Sequence, residues 1–369
     1  MNRLFGWKQT GVFLLTLAAG ILPFAVPEVC AAALREGLTL CCGPLLLSLF
    51  PFLVVSRLLI QCPESDLLAL PFRLAAWGIG IRTPCAARVL CIGFLGGFAP
   101  AASAAAQAVR TGQLTVEEAD ALLPACICSG PSFVVLTVGQ SLLGSAELGV
   151  LLFASQITAN YLTAALLNRF AGVRSVKPGS AAPASPAPPR LDEILADAAI
   201  TYCKLCGFIL FFRMLAAGAG ALLPAGAGTL CAVLLEVCSG CDLASRTGRW
   251  GSLLCCAALS VQGLSVLLQV RTICPPEMTL RPLYRARLLH LPLSLALFYL
   301  LLPGGEADVF STLPARVLLM RRVPPDCDLL VFAVCCMAAC TLRSGIRQVE
   351  QKQMARNAGG CCINSKTLL

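Results

Sequence analysis

Residues 88–109 read RVLCIGFLGGFAPAASAAAQAV, and the fold class turns on this stretch. Its first part is apolar enough for a membrane helix. Gly96-Gly97-Phe98-Ala99-Pro100 then interrupts it, and alanine and serine dominate residues 101–108, a composition that lets helices approach closely. In hydrocarbon an unpaired backbone N–H or C=O costs several kcal/mol, so a helix break at membrane depth survives only where protein or a wet cavity surrounds it. A single break of this kind fits close packing as well as a site, and matching pairs of breaks are what point to a site.

Working outward, the same grammar recurs. Thr115-Val116-Glu117-Glu118 has the form of a capping box and opens a helix running to about Cys128. Ser129-Gly130-Pro131-Ser132 breaks that helix, residues 133–143 come next, and 146–167 form a long apolar helix. Upstream, 11–26 reads as a first membrane helix with its N-terminus cytoplasmic rather than as a cleaved signal. Residues 27–40 are amphipathic, 43–59 are apolar with Pro51 in the middle, where proline should kink or break the helix, and 65–79 are too short to span. Residues 172–190, GVRSVKPGSAAPASPAPPR, cannot bury an apolar face and read as a disordered linker.

Beyond the linker the pattern repeats. Helices at 191–215 and 221–237 precede Cys238-Ser239-Gly240-Cys241, a helix from Trp250 meets a break at Val261-Gln262-Gly263, and the run resumes to Val270. Residues 284–302 and 328–341 supply the last spans. The expected organisation is an N-terminal helix and amphipathic segment (1–36), a first repeat (37–170), the linker (171–190), a second repeat (191–305), a C-terminal span (306–342) and a basic tail (343–369). The fold class is an all-α polytopic membrane protein of two related repeats with interrupted helices, roughly eight to eleven membrane segments in all.

Composition agrees. The 369 residues are 57% hydrophobic and 13% charged, about half the usual charged share. The net charge of +9 comes from basic residues lying mostly between apolar segments, where they orient the chain and meet anionic head groups. Nucleic acid is not an expected partner; the lipid bilayer is. The 22 cysteines sit mainly inside apolar runs, where the thiol acts as a small hydrophobe. Two C-x-x-C pairs have the wrong separation for a zinc ribbon and one histidine for company, so no metal is expected. There is no H-E-x-x-H, P-loop or nucleophile elbow, so neither catalysis nor a cofactor is expected.

Breaks at corresponding places in two halves are a sequence signature of a transporter site. Freed half-helix N-termini suit a carboxylate or phosphate. The substrate-binding candidates are Gly97, Ser103, Ser129, Gly130, Ser132, Asn160, Ser239, Gly240, Gln262, Gly263 and Gln269, expected to gather around a small anionic solute. Gln262 and Gln269 stand out because polar groups in apolar runs need partners. Arg57, Arg88, Lys204 and Arg213 could attract an anion or snorkel to the interface, and snorkelling is the preferred reading; His290 is read as interfacial, and Glu236 and Asp242 as helix-end markers.

GPLLLSLFPFLVVSRLL from Gly43, GFLGGFAPAASAAAQAV from Gly93, TVEEADALLPACICSGPSFVVLTVG from Thr115, LEVCSG from Leu235, GLSVLLQV from Gly263 and YRARLLH from Tyr284 together resemble the YlbJ-type sporulation integral membrane proteins, whose paired repeats are called Gate or nucleoside-recognition domains. The resemblance implies a multi-pass protein of the mother-cell-derived outer forespore membrane that moves dipicolinate during endospore formation. This chain departs from the family pattern: Ser103 stands where the family has lysine, Phe98 where it has tyrosine, and Ile127-Cys128 where it has asparagines. The alternative reading is a non-transporting assembly factor of the spore envelope.

Overall fold

Helix lengths set the architecture. The computed structural model describes residues 7–61, 63–172 and 191–302; the linker 173–190, the span expected at 328–341 and the basic tail lie outside them. No strand occurs among the described residues. Four stretches there are long and apolar enough to cross a membrane: Pro27–Ile60, Ala146–Ala171, Leu191–Leu222 and Gly248–Ile273. Large apolar side chains such as Leu74, Phe170, Leu288 and Leu300 stand exposed, as a lipid-facing surface requires. Eight to eleven segments were expected; much of the difference lies in short helices that fold back instead of spanning.

The chain enters through α1 (Trp7–Ala25), α2 (Pro27–Cys42) and α3 (Pro44–Gln61). No break occurs at Pro51: α3 runs through it. Phe52 and Leu53, just beyond it, are buried where α3 packs between neighbours, and that packing holds the helix across the missing donor. The short α4 (Leu70–Gly78) leads to α5 (Pro84–Gly96) and α6 (Phe98–Arg110).

Together α5 and α6 form a hairpin rather than an interrupted span. A Cβ placed on Gly93 would lie 3.2 Å from the Cβ of Ala101; in a continuous helix eight residues would put them about 12 Å apart. Gly97, at φ 78° and ψ −164°, makes the turn in a region open essentially to glycine.

After the turn, α7 (Val116–Cys126) begins at a true capping box: Thr115 Oγ1 accepts from Glu118 N and Glu118 Oε2 accepts from Thr115 N. It ends before Ile127–Pro131, and a π-helical segment, Ser132–Leu142, succeeds it. The two pieces lie in line, because α8 (Ala146–Ala171) runs antiparallel along both. Gly149 packs on the backbone of Val135 and Gly139, Asn160 Nδ2 donates to Ile127 O, and Asn168 Nδ2 donates to Ala121 O.

The described chain resumes with α9 (Leu191–Leu222), α10 (Ala225–Leu235), α11 (Val237–Ser245), α12 (Gly251–Val261), α13 (Gly263–Ile273) and α14 (Arg281–Leu301). α10 and α11 form a second hairpin: a Cβ on Gly240 would meet Val233 Cα at 2.8 Å, against about 10 Å along a straight helix. Its tip is Glu236, two residues before the break expected at Cys238–Cys241, so Ser239 and Gly240 lie inside α11. α12 and α13 make the second in-line broken helix, interrupted at Gln262, which holds a left-handed conformation at φ 63°.

Candidate functional site

Each hairpin tip docks against the broken helix that comes after it in the chain. A Cβ on Gly97 would stand 2.7 Å from Gly130 N and 3.3 Å from Cys128 O; one on Gly263 would stand 2.9 Å from both Glu236 N and Leu235 O. The second docking also uses a glycine in the left-handed region, Gly263 at φ 69°.

A cavity of about 60 Å³ opens where the two tips and the first break meet. The first tip contributes Gly96, Gly97 and Phe98, the first break Ser129, Gly130 and Ser132, and the second tip Glu236, Val237 and Cys238. Val266 and Gln269 of α13 close it, with Phe52 of α3 and Ile209 of α9 among the apolar lining. No lysine or arginine lines it among the described residues.

Two polar side chains decide its chemistry. Glu236 is 2% exposed and caps α11: Oε1 accepts from Cys238 N at 2.9 Å, and Oε2 from Ser239 N at 2.7 Å and Ser239 Oγ at 2.9 Å. Three donors fix the carboxylate in position. The α11 N-terminus, expected to receive a substrate carboxylate, is thus already occupied by the protein's own. Gln269, 1% exposed, donates through Nε2 to Ser265 Oγ at 2.9 Å, and its Oε1 has no donor among the described residues. A buried acceptor without a donor costs about 1–3 kcal/mol, which a solute donor would recover.

Of the residues singled out from sequence, Gly97, Ser129, Gly130, Ser132 and Gln269 line this cavity. Gln262 and Gly263 form the second break, and Gln262 Oε1 is likewise buried without a donor. Four are elsewhere. Ser239 is tied to Glu236, Gly240 packs on Val233, Ser103 accepts from Arg57 Nε at 3.3 Å beside a second cavity, and Asn160 braces the first break through Ile127 O.

Three of the four cations expected to snorkel are largely buried and carry carboxylate partners: Arg57 pairs with Asp197 at 2.6 Å, Arg88 with Asp66 at 3.0 Å and Arg213 with Glu36 at 2.7 Å. Lys204 is exposed. His290 is buried rather than interfacial, its ring nitrogens meeting Ser260 Oγ and Gln156 O.

Sequence reasoning passed over Arg287. This buried α14 guanidinium has no carboxylate partner among the described residues. It donates through Nη2 to Ile127 O at 2.7 Å and Asn160 Oδ1 at 3.5 Å, and through Nη1 to Ser260 O at 3.3 Å. Ile127 ends α7 and Ser260 lies in the last turn of α12. The guanidinium is therefore held by the negative ends of both interrupted helices, and it ties the two breaks together. The available signal was weak, because Arg287 follows Arg281 and Arg285 in the basic first turns of α14.

Comparison with protein-family models, with curated proteins and with solved structures finds no match for this chain.

Proposed function

We propose that this chain is a membrane transporter built from two related halves of opposite orientation, and that the tip cavity holds its solute. One observation carries the reading: two fold-back tips and the first helix break, drawn from both halves, line one cavity, while the second break docks on the second tip. The path of α9 supports the opposite orientation. The second hairpin starts directly after the α9 C-terminus, whereas the far end of the first lies beside Asp197–Lys204 near the α9 N-terminus. The hairpins thus approach from opposite ends, the arrangement expected of inverted repeats that form a site at mid-depth.

The resemblance to YlbJ-type proteins suggests dipicolinate as the solute, in the outer forespore membrane. At the tip cavity a dianion would face the Glu236 carboxylate with no lysine or arginine on the wall among the described residues; Arg213, behind Glu236 and Cys238, is paired with Glu36. The cavity suits instead a small neutral or cationic solute whose hydrogen-bond donors reach Gln269 Oε1 and the Glu236 carboxylate. The anionic reading keeps one observation in its favour, the basic lining of the second cavity beside Arg57 and Ser103. Flux into proteoliposomes containing the full chain tests both, using a panel of neutral hydroxyl- and amine-bearing solutes and aromatic dicarboxylates. Uptake of donor-bearing solutes that Gln269→Ala weakens is the expected result. Flux of dicarboxylates alone would return the substrate to the anionic class, and no flux of any solute would remove the transporter reading.

A further inference from the structure

The second cavity, about 150 Å³, lies between four helices that also contribute to the first. Along α3 the lining passes from Phe52 to Arg57, along α6 from Phe98 to Ser103 and Arg110, along α9 from Ile209 back to Lys204, and along α13 from Gln269 to Thr272. Five residues of α3 or α9 amount to about 7.5 Å, so the cavities sit one to two helical turns apart. Between them is an apolar layer in which Leu53, Ala99 and Leu205 are fully buried and against which Phe98 and Ile273 pack.

The chemistry of the two cavities is opposite. The second is lined by three cations, Arg57, Arg110 and Lys204, against one carboxylate, Asp197, with hydroxyls from Ser103, Thr201 and Thr272. Asp197 is committed to Arg57 at 2.6 Å, and Arg57 also donates to Ser103 Oγ and Thr201 Oγ1. Arg110 and Lys204 have no carboxylate partner among the described residues. Cations sharing a cavity repel one another, and a bound anion converts that repulsion into attraction. Guanidinium and ammonium groups beside hydroxyl donors are the usual recognition set for carboxylate and phosphate oxygens.

We propose that the Arg57–Arg110–Lys204 cavity is an oxyanion site, recognising a carboxylate or phosphate group on the far side of the apolar layer from the tip cavity. It is independent of what the tip cavity binds. Two sources share the chemistry, a free oxyanion and the head group of an anionic lipid.

The test uses the full chain in phosphatidylcholine nanodiscs, with inorganic phosphate and isophthalate titrated at constant ionic strength against chloride, read by calorimetry and thermal shift. Saturable binding of at least one probe is expected, weakened about tenfold or more in the Arg110→Gln/Lys204→Gln double variant. Both side chains are exposed and carry no ion pair among the described residues, so the fold should survive. Asp197→Asn, which frees Arg57, should tighten binding. Exchange into phosphatidylglycerol nanodiscs separates the sources: loss of probe binding by competition identifies the lipid head group as an occupant, and retained binding identifies a free anion. Gln269→Ala should leave probe binding unchanged, which keeps this test apart from that of the tip cavity. Binding no better than chloride, or binding indifferent to the double variant, overturns the proposal.

Discussion

Replacing Gly97 by alanine should damage the protein in a way that isolates the docking of the first tip on its break. Two costs add. The backbone at φ 78° and ψ −164° is a conformation that side-chain-bearing residues occupy only at about 1–3 kcal/mol. The new methyl would also stand 2.7 Å from Gly130 N and 3.1 Å from Gly130 Cα, so tip and break must part by several tenths of an ångström, an overpacking cost of about 1–3 kcal/mol. The sum is about 4 kcal/mol. Gly80→Ala supplies the control, because Gly80 has φ 88° but nothing within 4 Å of the added carbon; it bears the backbone cost alone. Thermal unfolding of the purified full-length variants should show a loss for Gly97→Ala at least twice that for Gly80→Ala. Solute uptake should fall further than melting does, since the separated tip deforms the cavity wall. Equal destabilisation by the two variants would refute the argument, because the contact with Gly130 would then carry no energy.

Three other outcomes are expected from the same geometry. Arg287→Met removes the donors to Ile127 O and Ser260 O and should cost about 2–4 kcal/mol in unfolding free energy; Arg287→Lys should recover part of it, and a neutral result for the methionine variant would deny that Arg287 braces the breaks. Gln269→Ala leaves the packing of Gln262 and the tips in place, so melting should change little while the apparent affinity for a transported donor-bearing solute drops about tenfold; an unchanged KM would exclude the tip cavity as the solute site. Glu236→Gln retains one acceptor oxygen where the carboxylate has two and removes the charge at the α11 N-terminus, costing about 1–2 kcal/mol in a denaturation curve; a variant as stable as the parent would mean that the carboxylate is not the cap.

What could be read in the chain divides along a physical line. Signals whose partners lie within a few residues were legible: the Thr115–Glu118 capping box, the Ser129–Pro131 break and the interruption at Gln262-Gly263 all stand where local chemistry placed them. Fold-back was misread as interruption, because the small residues of 99–108 suit a helix packed on its own neighbour as well as one packed on another. Length held the missing clue: α5 and α6 have 13 residues each, about 20 Å, short of the roughly 30 Å of a hydrocarbon core. The second tip was placed late because Ser239-Gly240 has the composition of a break, whereas Glu236 makes one by capping the helix that begins after it.

The buried cations were the hardest to read, since their carboxylates are remote in sequence: Asp197 lies 140 residues from Arg57 and Glu36 lies 177 from Arg213. Yet they obey a rule that sequence alone can apply. Every cation held inside such a bundle must find negative charge somewhere. Arg57, Arg88 and Arg213 find carboxylates. Arg287 finds none among the described residues, and what remains to neutralise it is the negative end of a helix dipole, which becomes available inside a bundle only where a helix stops short. The unpaired arginine and the two interrupted helices therefore account for one another: the breaks expose the carbonyls, and the guanidinium satisfies them.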